Sequence, residues 1–368
     1  MSARVSARVG SADEARPSLQ AARAAYQGIE LYAPNRTPCA LDLSDNTSLW
    51  GAPPVAARAV REASEPLLTR YPSLYAGSLK TVLATYVGVS PDMIVTGCGS
   101  DDVLDSAVRA FGNPGDRLAH PDPSFAMLPI FARMNGLEPV AVPLLAPDFA
   151  YDASGMLAVD ARITYVCAPN NPTGTPCDSA TLARFAREAP GALIIDEAYA
   201  EFAPSNALEL ASSNEHVLIT RTLSKAFGLA GLRIGYGIGH PSLVAEVEKS
   251  RGPYKVSAIA EAAAVAALTD GLPWVRDRIA EAISVRERLT SALRGMGLSP
   301  VPSVTNFVLV PVPDALAIDR RLRADGVAVR PFARVGALGS ALRISVGPWP
   351  LVEQMLAALD RVLHTEQR

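Results

Sequence analysis

Short apolar runs alternate with helical patterns through the middle of the chain. Met93–Thr96 (MIVT) predicts a strand, followed by a glycine-rich turn at Gly97–Gly99. Ser100-Asp101-Asp102 then supplies capping oxygens for a helix running to about Phe111. Arg117–Ala119 predicts a short strand, Ser124–Asn135 a helix and Pro139–Pro143 a further strand. Ile163–Cys167 (ITYVC) is a strand that ends in the dense turn signal APNNPTG. Asp178–Glu188 reads as a helix and Ala192–Ile195 as a buried strand ending in Asp196-Glu197. Val217–Thr220 is a strand running into RTLSKAFGLAG, and Arg233–Gly237 is one more. β-rich runs alternating with helices argue for an α/β fold, its mostly parallel sheet covered on both faces.

After about residue 254 the pattern changes. An Ala-rich helical stretch, Ser257–Met296, precedes strands at Asn306–Val310, Ala328–Arg330 and Ala341–Val346. This is the pattern of a smaller α+β lobe. The expected division is a tail over 1–28, an N-terminal arm contributing to the small domain over 29–55, a large domain over 56–265 and a small C-terminal domain over 266–368. Proline and glycine are spread through the loops without marking a long linker, so the two lobes should be closely joined.

Composition narrows the function. At 368 residues the chain suits two packed lobes, given roughly 150 residues per domain. With 49% apolar and 19% charged residues it is neither disordered nor coiled-coil. A net charge of −3 makes a poor phosphate-backbone binder, so no nucleic-acid partner is expected. Cys39, Cys98, Cys167 and Cys177 show no CxxC spacing and read as reduced thiols of a cytoplasmic protein. The N-terminal stretch lacks the apolar core of a secretory signal, and no apolar run approaches a membrane span. His120, His216, His240 and His364 lack metal-ligand spacing, so no metal is expected. Neither a GxxxxGK[ST] loop nor a GxSxG elbow is present.

What stands out is polar chemistry at the expected C-terminal ends of several strands, where open α/β sheets bind ligands. One strand runs into Gly99-Ser100-Asp101 at a helix start and another into Asn170-Asn171-Pro172-Thr173-Gly174. A third ends in Asp196, with Tyr199 three residues on, and a fourth leads into Thr222, Ser224, Lys225 and then Arg233. A lysine facing an aldehyde forms a Schiff base, and a carboxylate beside a pyridine nitrogen keeps that nitrogen protonated. Pyridoxal phosphate needs both groups and a phosphate cradle. Helix amides at Gly99–Asp101, the hydroxyls of Thr222 and Ser224 and the cation Arg233 are the groups such a cradle uses. Each residue alone has a plainer reading: a surface lysine, a turn aspartate, a core phenylalanine at Phe125, a surface ion pair at Arg233. Their combination is what points to the cofactor.

In these segments the chain resembles fold-type I pyridoxal-phosphate enzymes of the class I/II aminotransferase group, and among them histidinol-phosphate aminotransferases. The resemblance spans about residues 30 to 365 and is strongest at Ala168–Gly174 (APNNPTG), Ile195–Phe202 (IDEAYAEF) and Thr222–Tyr236 (TLSKAFGLAGLRIGY). It implies a large pyridoxal-phosphate-binding domain and a role for each matching residue. Lys225 would form the Schiff base and shuttle the proton, and Asp196 would pair with the pyridinium nitrogen. Asn171 and Tyr199 would bond the ring 3-oxygen, and Phe125 would stack on the ring where the family usually has tyrosine. Gly99, Ser100, Asp101, Thr222, Ser224 and Arg233 would surround the phosphate, with Tyr71 reaching over from the partner of a homodimer. Arg343 would clamp the substrate carboxylate. Arg330, thirteen residues earlier, would hold its phosphate end, with Tyr32 closing over the site and Asn46 and Asn171 lining it. The stretch Ser44–Gly51 lacks the proline usual in the family. The implied reaction moves an amino group from histidinol phosphate or a related amine to 2-oxoglutarate. A threonine-phosphate decarboxylase-like lyase and an aromatic amino acid aminotransferase are the alternatives.

Overall fold

The computed structural model describes residues 22–31 and 37–364. Its strands, in chain order, are β1 (Leu41–Asp42), β2 (Ile94–Cys98), β3 (Arg117–Asp122), β4 (Glu138–Pro143), β5 (Ile163–Cys167), β6 (Ala192–Asp196), β7 (Val217–Thr222), β8 (Ile234–Gly239), β9 (Phe307–Pro311), β10 (Val327–Ala328), β11 (Arg330–Phe332) and β12 (Ala341–Ser345). Seven form one sheet in the order β2-β8-β7-β6-β5-β3-β4. In it β8 runs against the other six.

The near-continuous apolar runs follow from burial on both faces. Leu193, Ile195, Val217 and Ile219 enter one core, with Tyr236 and Phe227. Ile194, Leu218, Tyr165 and Ile163 enter the other, with Val103 and Leu104 of the helix Ser100–Phe111. This period of two places every second residue at a strand end on the same face. The strand order reverses beside β3, which has β4 on one side and β5 on the other, so the loops from β3 and β5 part around a crevice.

A three-stranded antiparallel sheet, β11-β12-β9, and the parallel pair β1-β10 form the remaining β structure. The segment after β1 is bonded to the end of β12 and to the residue before β9. The Asn46 amide N–H donates to Ser345 Oγ at 2.9 Å, and Asn306 Nδ2 donates to the Asn46 carbonyl at 3.0 Å.

Several elements depart from the sequence pattern. The Ser257–Met296 stretch is two helices, Ala258–Leu268 and Leu272–Gly295, bent by 75°. Gly271 and Pro273 explain the break: proline cannot continue a helix from within, but suits the first turn of the next. The helix expected from Ser124 begins at Met127, because Ser124 is held in the preceding turn by its bond to Asn170 Oδ1 at 2.8 Å. The strand expected over Ala328–Arg330 is divided between β10 and β11, which join different sheets. Among the described residues no single helix is long and apolar enough to cross a membrane.

Candidate active site

A cavity of about 470 Å³ opens at the C-terminal edge of the sheet, enough for a cofactor and a small substrate together. Asp45, Asn46, Ser100, Asp101, Phe125, Asn171, Asp196, Tyr199, Thr222, Ser224, Lys225, Arg233, Arg330 and Arg343 all contribute to its lining. The sheet brings them together because β2, β3, β5, β6 and β7 all end at this edge, while β8, running the other way, begins there beside Arg233.

Asp196 closes β6 and is buried at 4% exposure. Its carboxylate accepts from the Tyr165 hydroxyl at 2.9 Å, from Thr220 Oγ1 at 3.2 Å and from the Ala198 amide at 3.2 Å. Burial pushes the acid up to about 6, against the pull of these donors. Lys225 follows β7, and its Nζ donates to the Asp45 carbonyl at 3.1 Å. Burial, with Arg343 nearby, lowers its amine to about 8, so a neutral lysine is accessible near neutral pH. Tyr199 Oη accepts from Asn46 Nδ2 at 3.0 Å, and burial raises its hydroxyl to about 12, which keeps it protonated.

An anion cradle lies at the end bounded by β2 and β7. Gly99 precedes the helix Ser100–Phe111 with φ +84°, in the left-handed region that glycine enters freely. A Cβ there would stand 2.4 Å from Arg233 Nη2, so the guanidinium closes directly over this turn. Arg233 Nη2 also lies 3.4 Å from Asp101 Oδ2. Thr222 Oγ1 and Ser224 Oγ are 2.9 Å apart, and the Ser224 amide donates to Thr222 Oγ1 at 3.1 Å. Helix amides, two hydroxyls and one guanidinium at a single end suit a phosphate. A buried carboxylate and a lysine of lowered basicity lie beyond it. Phosphate, pyridine nitrogen and aldehyde each have a matching group, so these residues fit pyridoxal phosphate.

The other end belongs to β11 and β12. Arg343 is buried, with Nη1 donating to Asn171 Oδ1 at 2.6 Å and Nη2 to the Ser44 carbonyl at 2.7 Å. Arg330 is its partner in the antiparallel register, so two guanidinium groups rise from directly opposed positions. Phe332, on β11, completes that wall.

Tyr71 is 84% exposed, does not line this cavity and stacks on Tyr254 at 5.1 Å between ring centroids. Tyr32 lies outside the described residues. Sequence reasoning missed Tyr165, Thr220, the Asp45 carbonyl and Phe332. Tyr165 carried a signal: a tyrosine in a fully buried strand needs a partner for its hydroxyl. The carbonyls of Ser44 and Asp45 carried none, since every residue has one.

Tyr165→Phe tests the support of Asp196. Losing a donor raises the Asp196 acid further, so the lower of the two acid-side transitions in the activity profile, at about 6 and below that of the Lys225 amine at about 8, moves to higher pH. The expected shift is about one to two pH units, from the ~1.5–3 kcal/mol of a hydrogen bond to a charged group. An unmoved lower transition in the pH–rate profile contradicts the role.

Comparison with known proteins agrees with this geometry. The family described as Aminotransferase class I and II matches residues 39–362. A histidinol-phosphate aminotransferase of Methylibium petroleiphilum is 40% identical over 306 residues, 80% of this chain and 82% of that protein. An aromatic amino acid aminotransferase of Nocardia farcinica is 35% identical, over 87% of this chain and 91% of that one. The crystal structure of histidinol-phosphate aminotransferase from Sinorhizobium meliloti in complex with pyridoxal-5'-phosphate superposes with a TM-score of 0.86 at 29% identity, covering 95% and 99% of the two chains. With the match running nearly the length of the chain, and a cavity whose groups answer each part of pyridoxal phosphate, the chain belongs to the class I and II aminotransferases, pyridoxal-phosphate-dependent enzymes of fold type I.

Proposed function

We propose that the enzyme moves the amino group of histidinol phosphate, or of a closely related amine with a second polar anchor, to 2-oxoglutarate. The observation that carries this reading is the opposed pair Arg330 and Arg343. Like charges directly across a sheet destabilise it, so the pair makes sense if ligands bring anions to both. A phosphate on the donor answers Arg330, and the two carboxylates of 2-oxoglutarate answer both in the return step.

Pyridoxal phosphate, when bound, supplies an electron-poor ring that accepts the electron pair freed at the donor's Cα. The chain's own residues do the rest. Gly99, Ser100, Asp101, Thr222, Ser224 and Arg233 hold the phosphate. Asp196 keeps the ring nitrogen protonated, Phe125 covers the ring face, and Tyr199 and Asn171 serve its 3-oxygen. Lys225 would hold the cofactor through its Nζ and, once freed by the donor amine, would take the proton from Cα as a general base and pass it to the former aldehyde carbon. Arg343, set by Asn171 and Ser44, receives a carboxylate of the keto acid in the return step, with Asn46 beside it.

The same reading makes the working unit a cytoplasmic homodimer. The exposure of Tyr71 suits a residue that serves a partner's phosphate, and Tyr32 would close the substrate end. Residues 56–265 would form the cofactor domain, with 29–55 and 266–368 in the smaller one and 1–28 as a tail.

A second reading, an aromatic amino acid donor, is favoured by Phe332 in the wall beside Arg343 and by the Nocardia farcinica relative. Arg330→Met separates the two. Losing the charged contact raises KM for histidinol phosphate by about tenfold to a hundredfold, from the ~1.5–3 kcal/mol of such a bond, and leaves KM for phenylalanine and tyrosine little changed. Equal effects on both donors, measured by steady-state kinetics, count against the phosphate reading.

A further inference from the structure

A buried polar layer lies directly behind the catalytic strand ends, on the face turned away from the cavity. Glu197 follows Asp196, Arg221 precedes Thr222, and Tyr236 on β8 is the register partner of Arg221. Alternation puts this layer in the core with Ile195 and Ile219, and Asp196 and Thr220 on the opposite face with Tyr165. Arg221 donates from Nε and Nη2 to Glu197 Oε2 at 2.9 and 2.7 Å. The other Glu197 oxygen accepts from the Ala207 amide at 2.5 Å. The two side chains are 6% and 2% exposed. The carboxyl oxygens of Glu201 and the hydroxyl of Tyr236 are buried beside this pair, and Arg221 acts electrostatically on both. Burial pushes the Glu201 acid up to about 7, against the pull of Arg221.

Stability alone is a weak reason for such a layer, because a buried ion pair is often no better than well-packed apolar residues. Its position supplies a better one. The pairing of β6 with β7 ends at Asp196 and Thr220, with one more backbone bond from the Glu197 amide to the Thr220 carbonyl at 2.8 Å. Beyond that point the guanidinium fork still joins the two chains through their side chains, while β8 holds the β7 chain from its other side. One chain carries Asp196, and the other leads into Thr222, Ser224 and Lys225.

We propose that Arg221 is a positioning residue, which by clamping Glu197 across the ends of β6 and β7 sets the placement of the Lys225 amine relative to the Asp196 carboxylate. This rests on the roles proposed above for those two residues. A displacement of about 1 Å between such groups costs on the order of a hundredfold in rate.

Two variants of the full-length, cofactor-loaded enzyme test it. Arg221→Met combined with Glu197→Gln removes both charges together and keeps an acceptor for the Ala207 amide. Arg221→Lys keeps the charge and loses the fork. The double variant is expected to melt within a few degrees of the wild type, since neither member of the ion pair is left unpaired and Glu201, without the pull of Arg221, stays protonated and neutral. Its bound-cofactor absorbance band is expected to titrate with a midpoint moved by about half a pH unit or more, because that midpoint reports how the lysine and carboxylate act on the cofactor. Its half-reaction with amino donor is expected to slow about tenfold to a hundredfold. An unmoved titration midpoint in the double variant overturns the proposal and makes the layer a packing feature only. If the double variant does not fold, the midpoint of Arg221→Lys decides in the same way. A wild-type enzyme that ignores the donor would defeat the functional reading instead, and the titration, which needs only bound cofactor, would still decide the role of Arg221.

Discussion

Lys225→Ala is expected to abolish multiple turnover. On the roles proposed for Lys225, the substitution removes both the amine that anchors the cofactor and the base that moves the Cα proton. General base catalysis alone accounts for about 10²–10⁴ in rate, and the loss of the Schiff-base partner adds to it. Lys225 suits both roles because burial brings its amine down to about 8, so that a neutral fraction exists at physiological pH. The sign of the pH dependence follows. The base must be unprotonated, so proton transfer speeds up as pH rises towards about 8 and then levels off. Steady-state transamination of purified Lys225→Ala, with cofactor supplied in excess, makes the check. Measurable multiple turnover contradicts the role.

Asp196→Ala is the second large effect. The carboxylate stands at the floor of the cavity with three donors on it. Its removal leaves the Tyr165 and Thr220 hydroxyls without their acceptor and takes away the carboxylate placed to hold a ring nitrogen protonated. A preorganised electrostatic contact of this kind is worth about 10²–10³ in rate, so activity should fall by at least that much even where cofactor still binds. Cofactor retention, read by absorbance after desalting, separates binding from catalysis. Near-wild-type turnover of the loaded variant refutes the assignment.

Much of this was legible in the sequence. Strand ends were readable because each buried run gives way abruptly to turn or polar residues: ITYVC to APNNPTG, ALII to Asp196-Glu197, VLIT to RTLSKAFG. The strand pattern implied the parallel sheet, and the rule that ligands sit at its C-terminal edge gathered the cavity. The register of β11 against β12 was not legible, since Arg330 and Arg343 are thirteen residues apart and the antiparallel turn is what sets them opposite each other. The break at Gly271 did carry a signal, since Asp270-Gly271 and Pro273 interrupt the Ala-rich pattern with a helix stop and a helix start. Contacts made by backbone carbonyls, such as Asp45 with Lys225, leave no mark in residue type. The Arg221–Glu197 pair was hidden behind its neighbours Thr222 and Asp196, which are adjacent in sequence but face the opposite side of the sheet.

The most direct test of the central claim is a half-reaction followed by absorbance. The enzyme is loaded with pyridoxal phosphate and freed of excess, and histidinol phosphate is added without any keto acid. The account predicts that the band of the bound aldehyde cofactor gives way to that of pyridoxamine phosphate, and that 2-oxoglutarate restores it. A bound-cofactor band that histidinol phosphate leaves unchanged, while phenylalanine or tyrosine converts it, would contradict the proposed donor.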